Sequence, residues 1–254
     1  MRTGMPKIWI LRGIKKGIVT SKFPSAPPAP SEIPRRSVPP EPTDTSDWPA
    51  GEMVCPTGAI QASEKKIELG KCVFCQRCSS AGFVFDECDG GRNKALAARY
   101  SQTDLQELAK KQRAFKKSFH VMMIDVGSCN ACNLEVLNLS NPYYDLTRLG
   151  IFFTNSPKHA DALIVVGALN RSMVDVLKRT YESLPEPKLV ISVGACAISG
   201  GVFQGTESFV SPVQGVIPVD AIVPGCPPSP IQILEGLLLL TGHLANKEEV
   251  TAKQ

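Results

Sequence analysis

A doubly wound parallel α/β sheet, preceded by a small cysteine-dense unit, is what this sequence predicts, and three observations predict it. From Phe119 onward, near-continuous apolar runs at 119–126, 149–154, 161–167, 188–194 and 219–224 alternate with helix-like segments, notably Met173 to Leu184 and Pro230 to Leu244. Apolar strands separated by helices indicate a parallel sheet covered on both faces, here a flavodoxin-like one over 119–245. Four cysteines close three of those runs: Cys129 and Cys132 in Gly127-Ser-Cys-Asn-Ala-Cys132, Cys196 after Leu189-Val-Ile-Ser-Val-Gly-Ala195, and Cys226 after Ala221-Ile-Val-Pro-Gly225. Ligands of open α/β sheets bind outside the carboxyl ends of the strands, so the three loops are expected to meet at one centre. Four thiolates there suit an iron–sulfur cluster or zinc. Upstream, Cys55, Cys72, Cys75 and Cys78 crowd a stretch rich in Cys and Gly and poor in periodicity.

Along the chain, 1–49 is expected to be a basic amphipathic helix followed by an extended segment. Lys7 to Val19 places Ile8, Leu11, Ile14 and Ile18 at near-helical spacing, with only basic charges (Lys7, Arg12, Lys15, Lys16). Two readings stand: a mobile basic tail, or a helix on an anionic membrane face or a membrane subunit. Ten of the 21 prolines lie between Pro6 and Pro49, so this stretch cannot build its own core. Residues 50–92 form the cysteine-dense unit and 93–118 a linker helix. Ser101-Gln-Thr-Asp104 reads as a capping-box variant, with Leu105, Leu108, Ala109, Ala114 and Phe115 at helical spacing. Residues 246–254 are a tail.

Composition narrows the function classes. At 254 residues and 43% hydrophobic content the chain can bury a sizeable core. Its net charge of +4 and the lack of an aromatic-rich basic stretch argue against nucleic acid as a partner. No apolar stretch reaches the length of a membrane span, and no secretory signal is expected. Nine cysteines without such a signal favour metal ligation over disulfides.

The first set has a specific spacing. Cys72-Val-Phe-Cys-Gln-Arg-Cys78 is a CxxCxxC triplet and Cys55 is followed by Pro56, the combination that supplies four ligands to one 4Fe-4S cluster. Residues 50–92 therefore resemble a bacterial-type ferredoxin domain. They depart from the two-cluster pattern, because no triplet precedes Cys55 and Cys78 is followed by Ser-Ser-Ala-Gly82. The second cluster reads as lost, Cys88 as a spare thiol, and a zinc ribbon as the alternative.

The segments Gly127 to Glu135, Ser156 to Met173, Pro185 to Gly201 and Pro218 to Pro230 closely resemble one family. It unites the complex I subunit that holds the terminal iron–sulfur cluster with the small subunits of membrane-bound, energy-converting NiFe hydrogenases of the group 4 and formate hydrogenlyase type. The resemblance implies a proximal 4Fe-4S cluster on Cys129, Cys132, Cys196 and Cys226, hence two 4Fe-4S clusters in all. The CxxC spacing at Cys129 and Cys132 is that of the hydrogenase branch, whereas complex I members usually carry adjacent cysteines there. Leu11 to Pro24 is similar to the opening of the ferredoxin-like subunit of the same complexes.

What these resemblances imply is an electron-transfer subunit without a catalytic residue of its own. Its expected partners are a large NiFe-hydrogenase-like catalytic subunit, another iron–sulfur subunit and membrane ion-translocating subunits, at the cytoplasmic face of the membrane. The rival readings are the same wire in a quinone or sulfur-compound reductase without nickel, and a zinc-stabilised scaffold. Gly127, Gly194, Gly200, Gly201 and Gly225 crowd the second set, where they let backbone close around a bound group or simply make turns. Glu135 is read as favouring the start of the helix after Cys132, or as relaying protons near a partner. His159 reads as a loop-bonding or gating residue, and Arg171 as tuning the centre, holding a partner carboxylate or forming a surface ion pair.

Overall fold

The computed structural model describes residues 9–26, 40–85, 99–100, 105–115, 118–210 and 212–243. Cys88 and the expected capping box at 101–104 lie outside them. Helix α1 (Trp9–Lys16) falls within the helix expected at Lys7 to Val19; Ile14 on it and Ile18 just after it are 73% and 95% exposed. Just after it the chain is tied to the body. Ser21 N–H donates to the Tyr143 carbonyl (2.7 Å), Thr20 Oγ1 to that of Pro142 (3.0 Å), and Arg148 to that of Phe23, whose ring is buried in the main core.

The cysteine-dense unit consists of α2 (Trp48–Val54), a small antiparallel pair of β1 (Ile60–Gln61) and β2 (Lys66–Ile67), and a 3-10 turn over Arg77–Ala81. Asp47 caps α2 by accepting from Ala50 N–H at 3.0 Å, and Pro49 sits in the first turn, where its missing donor costs nothing. Its own core is slight: Ile60, Cys78, Ala81 and Phe83, with Trp48 edge-on to Phe83 at 5.2 Å.

Five parallel strands form the main sheet: β4 (Phe119–Asp125), β5 (Ile151–Phe153), β6 (Ala162–Val166), β7 (Leu189–Val193) and β8 (Ala221–Val223). Every one falls inside an apolar run expected from sequence. In space the order is β5-β4-β6-β7-β8. Counting these five in chain order, that is 2-1-3-4-5, the flavodoxin-like arrangement. Beyond β8 lies β3 (Arg99–Tyr100), antiparallel with Arg99 opposite Ile222. This edge strand corrects the reading of 93–118 as helix alone; two residues are too short to show a period of two.

Side chains alternate between two cores, as pleating requires. Ala162, Ile164 and Val166 of β6 and Leu189, Ile191 and Val193 of β7 join one core with Val136, Leu139, Leu234 and Leu237. Leu163, Val165 and Val190 join the other with Leu177 and Ala197. The helices therefore divide between the faces. On the first lie α3 (Leu105–Ala114), α4 (Ala131–Asn138) and α7 (Pro230–Leu240); on the second lie α5 (Val174–Glu182) and α6 (Ala195–Ser199). All eleven residues of α7 are buried. A helix buried on every side needs cover all round, and α3 contributes it through Leu108, with Phe115 just after it. Gln112 Nε2 donates to the Leu239 carbonyl (3.0 Å), and Lys111 lies 3.7 Å from Asp220.

Candidate metal centres

In the first set, Cys55 leaves the end of α2 while Cys72, Cys75 and Cys78 come from one tight loop. Phe74 and Gln76 take left-handed backbone (φ 53° and 62°), which coils the loop so that every third residue faces the same hollow. That hollow, about 330 Å³ counting its open mouth, is lined by Cys55, Cys72, Cys75 and Cys78 with Ile60 and Phe85. Backbone N–H groups already point at sulfur: Ala59 N–H donates to Cys55 Sγ at 3.2 Å and Phe74 N–H to Cys72 Sγ at 3.4 Å. Burial, then repulsion from Cys55, Cys78 and Cys75, pushes the Cys72 thiol up to about 12, and burial above all takes Cys78 to about 11. At Cys55 burial also pushes upward, but the hydrogen bonds from Thr57, Ala59 and Ile60 outweigh it and the net shift is down.

The second set is assembled by the sheet. Asp125, the last residue of β4, accepts from Gly127 N–H (2.9 Å), Ser128 N–H (2.8 Å), Ser128 Oγ (2.8 Å) and Asn133 Nδ2 (2.6 Å). This ties the strand end to the first turn of α4 and thereby holds the loop of Cys129 and Cys132. Cys196 is the second residue of α6, the helical turn after β7, and Ala195 N–H donates to the Gly225 carbonyl (2.8 Å), joining that loop to the one carrying Cys226. The four thiols lie within electrostatic reach of one another. Cys132 is pushed up to about 12 by burial, then by Cys196, Cys226, Cys129 and Glu135; Cys196 goes to about 11 by burial, then Cys226 and Cys129. Thiols this far up are protonated at neutral pH, so binding a metal there releases protons.

All eight described cysteines are free thiols. Among the described residues no three His, Cys, Asp or Glu side chains stand at the spacing that holds a single metal ion. Eight thiols in two groups of four, the first set around one hollow with backbone donors aimed at two of its sulfurs, fit the donor chemistry of iron–sulfur clusters.

The other expected residues fall in different places. Glu135 is one turn inside α4 rather than in its first turn, half-buried, with its carboxyl pushed up by burial; it cannot serve the helix start as the sequence suggested. His159 is exposed and precedes β6, at the end of the sheet opposite the thiols. Arg171 does begin a helical turn, and its guanidinium donates to the Glu207 carbonyl while its N–H donates to that of Ser208 (3.1 Å). It fastens the loop after Cys196.

Asp125 itself was missed by sequence reasoning. The signal was an Asp two residues before Gly-Ser at a strand end, the pattern of a side chain bonding nearby backbone N–H groups. Burial raises its carboxyl, but the bonds from Gly127, Asn133 and Ser128 outweigh that and leave it below the usual range. A depressed folded pKa gives stability that is present above the unfolded value, about 4, and is lost as pH falls through the folded one. Asp125→Asn is therefore expected to lower stability by about 1 kcal/mol at pH 7, since the residue is largely exposed. Urea midpoints of the two chains should converge as pH drops below about 4; an unchanged gap at pH 3 would mean that the carboxylate charge is irrelevant to this loop.

The fold and site define the class as a flavodoxin-like α/β domain with thiol-bearing loops at the carboxyl end of its sheet. Residues 129–240 match the family described as NADH ubiquinone oxidoreductase, 20 kDa subunit. An uncharacterized protein of Methanocaldococcus jannaschii is 44% identical over 136 residues, 50% of this chain and 90% of the relative. The probable membrane-bound hydrogenase subunit mbhJ of Pyrococcus furiosus is 42% identical over 125 residues, 49% of this chain and 75% of that protein. An NADH-quinone oxidoreductase subunit of Citrifermentans bemidjiense is 45% identical over 116 residues, 46% of this chain and 68% of that protein. The chain belongs to this family, which spans complex I-type and hydrogenase-type subunits.

Proposed function

We propose that this chain is an electron-transfer subunit of a membrane-associated, hydrogenase-type complex. One 4Fe-4S cluster would sit on Cys55, Cys72, Cys75 and Cys78 in a ferredoxin-like unit over 50–92, and a second on Cys129, Cys132, Cys196 and Cys226 at the end of the sheet domain, 119–245. When bound, such clusters supply one-electron redox chemistry. The chain's own part is to hold the thiolates, aim N–H groups at sulfur and shield Cys78 and Cys132 from water. The observation that carries this reading is the gathering of eight free thiols into two sets of four. The catalytic centre belongs to a large partner subunit; another iron–sulfur subunit and ion-translocating membrane subunits complete the assembly.

The CxxC at Cys129 and Cys132 favours the nickel-bearing hydrogenase branch. A second reading, a quinone or sulfur-compound reductase without nickel, is favoured by the equal likeness to the NADH-quinone oxidoreductase relative. The terminal cysteines of the large subunit separate the two. Iron, acid-labile sulfide and EPR of the anaerobically prepared, dithionite-reduced chain test the proposal: about eight iron and eight sulfide per chain support it. Zinc without labile sulfide would leave only a metal-stapled scaffold.

We place the chain peripherally on the cytoplasmic face of the membrane. Among the described residues no helix is long and apolar enough to cross a membrane. The segment from Met1 to Ser31 carries Arg2, Lys7, Arg12, Lys15, Lys16 and Lys22 and no acid, and Ile14 and Ile18 are exposed beside those charges. Co-sedimentation with phosphatidylglycerol vesicles is expected to fall about tenfold or more in an Ile14→Glu, Ile18→Glu chain. Equal sedimentation of the two chains would remove α1 from the membrane.

A further inference from the structure

The cysteine-dense unit meets the sheet domain at a contact that lies two residues along the chain from a thiol of each set. Gly70 is buried and lies two residues before Cys72; Ile198 lies two residues after Cys196, on α6. A Cβ placed on Gly70 would stand 2.9 Å from Ile198 Cγ2, closer than real Cβ atoms come. Only glycine lets that loop seat directly on the isoleucine. Ile198 joins neither core of the sheet, although its neighbour Ala197 is buried in one of them. Its apolar side chain is turned toward the other unit instead.

Cys75, Cys129 and Cys226 are the exposed members of their sets. Each partner in the seat is two residues from a thiol, and a shift of either would carry a ligand loop with it.

We infer that Gly70 and Ile198 are positioning residues, whose contact fixes the gap between the two four-thiol sets. This rests on reading both sets as cluster ligands. It goes beyond that reading in assigning the spacing between centres to two residues that ligate nothing. A side chain at position 70 would wedge the units apart without touching any sulfur, and loss of the Ile198 side chain would let them settle closer.

The test uses the full chain, reconstituted anaerobically with iron and sulfide, reduced with dithionite and followed by EPR line shape and microwave-power saturation. The wild-type signal is expected to be split or broadened by magnetic interaction between centres. That interaction should be lost in Cys72→Ser and in Cys226→Ser, each of which keeps one set. Gly70→Val should retain iron and sulfide yet show a weakened interaction. Ile198→Ala, which introduces no clash and serves if the valine chain fails to fold, should retain both and alter the interaction. Additive, unsplit signals from a wild-type chain with both sets filled would overturn the inference, as would an interaction unchanged in both variants. If only one set fills in the wild type, the metal count exposes that separately, and it is the cluster reading that fails, taking the inference with it.

Discussion

Replacing Gly194 by alanine is expected to empty the sheet-end thiol set while leaving the sheet standing. Gly194 links β7 to the turn carrying Cys196 with φ +90°, a conformation that side chains rarely adopt and that costs about 1–3 kcal/mol when forced. Space is shorter still: a Cβ there would stand 2.7 Å from Cys132 Sγ. The sulfur must move, and it belongs to a loop pinned by Asp125 on one side and by α4 on the other. Roughly half of the bound iron and sulfide should therefore disappear, with the far-UV circular dichroism unchanged. Gly215→Ala is the control, because an added Cβ there meets nothing within 4 Å. Full metal content in the Gly194→Ala chain would show that Cys132 is not held against this turn.

Leu237→Ala is expected to produce the largest loss of stability, about 2–5 kcal/mol. Leu237 has no exposed surface and lies on α7 within the core shared by β6, β7, α3 and α4. Truncation removes buried contacts, and the surroundings cannot collapse into the space, because α7 is covered on every side. The helix is also fixed at its start, where Ser229 and Gln232 form a reciprocal capping box with Ser229 N–H donating to Gln232 Oε1 at 2.8 Å. Urea unfolding should show a lower midpoint at unchanged slope. Leu134→Ala on α4, where the leucine is 60% exposed, should shift it by less than about 0.5 kcal/mol. Comparable shifts at the two positions would mean that α7 is not the keystone of this face.

How much of this was legible beforehand follows from what each feature depends on. The five strands and α5 and α7 announce themselves because burial on both faces of the sheet demands continuous apolar runs, a purely local signature. The strand order could be expected from the alternation, since right-handed crossovers leave few arrangements. The thiol sets were legible by spacing and by position after strands. Glu135 was misplaced by one turn because helix starts are poorly marked when, as here, Asn130 enters in a left-handed conformation without a side-chain cap. Arg171 could not be assigned, since its partners are backbone carbonyls, which every residue carries, whereas Asp125 carried a local signal in the Gly-Ser that follows it, and its partner Asn133 lies eight residues on. Neither β3 nor the Gly70 seat was foreseen: the first is two residues long, and the second depends on a contact between distant segments.

The two thiol sets also differ in when they can exist. Cys72, Cys75 and Cys78 are neighbours along the chain, and Cys55 is only a hairpin away, so the first set is complete as soon as the chain through Cys78 has been synthesised. Cys129, Cys196 and Cys226 belong to three strand ends, and they meet only after β8 has paired with β7, the last parallel addition to the sheet. Contacts so far apart in sequence form late, and the N-terminal part of a chain folds first as it leaves the ribosome. Biogenesis of this protein is thereby ordered in time by topology alone: one site can be served while the polypeptide is still growing, and the other must wait for the finished domain.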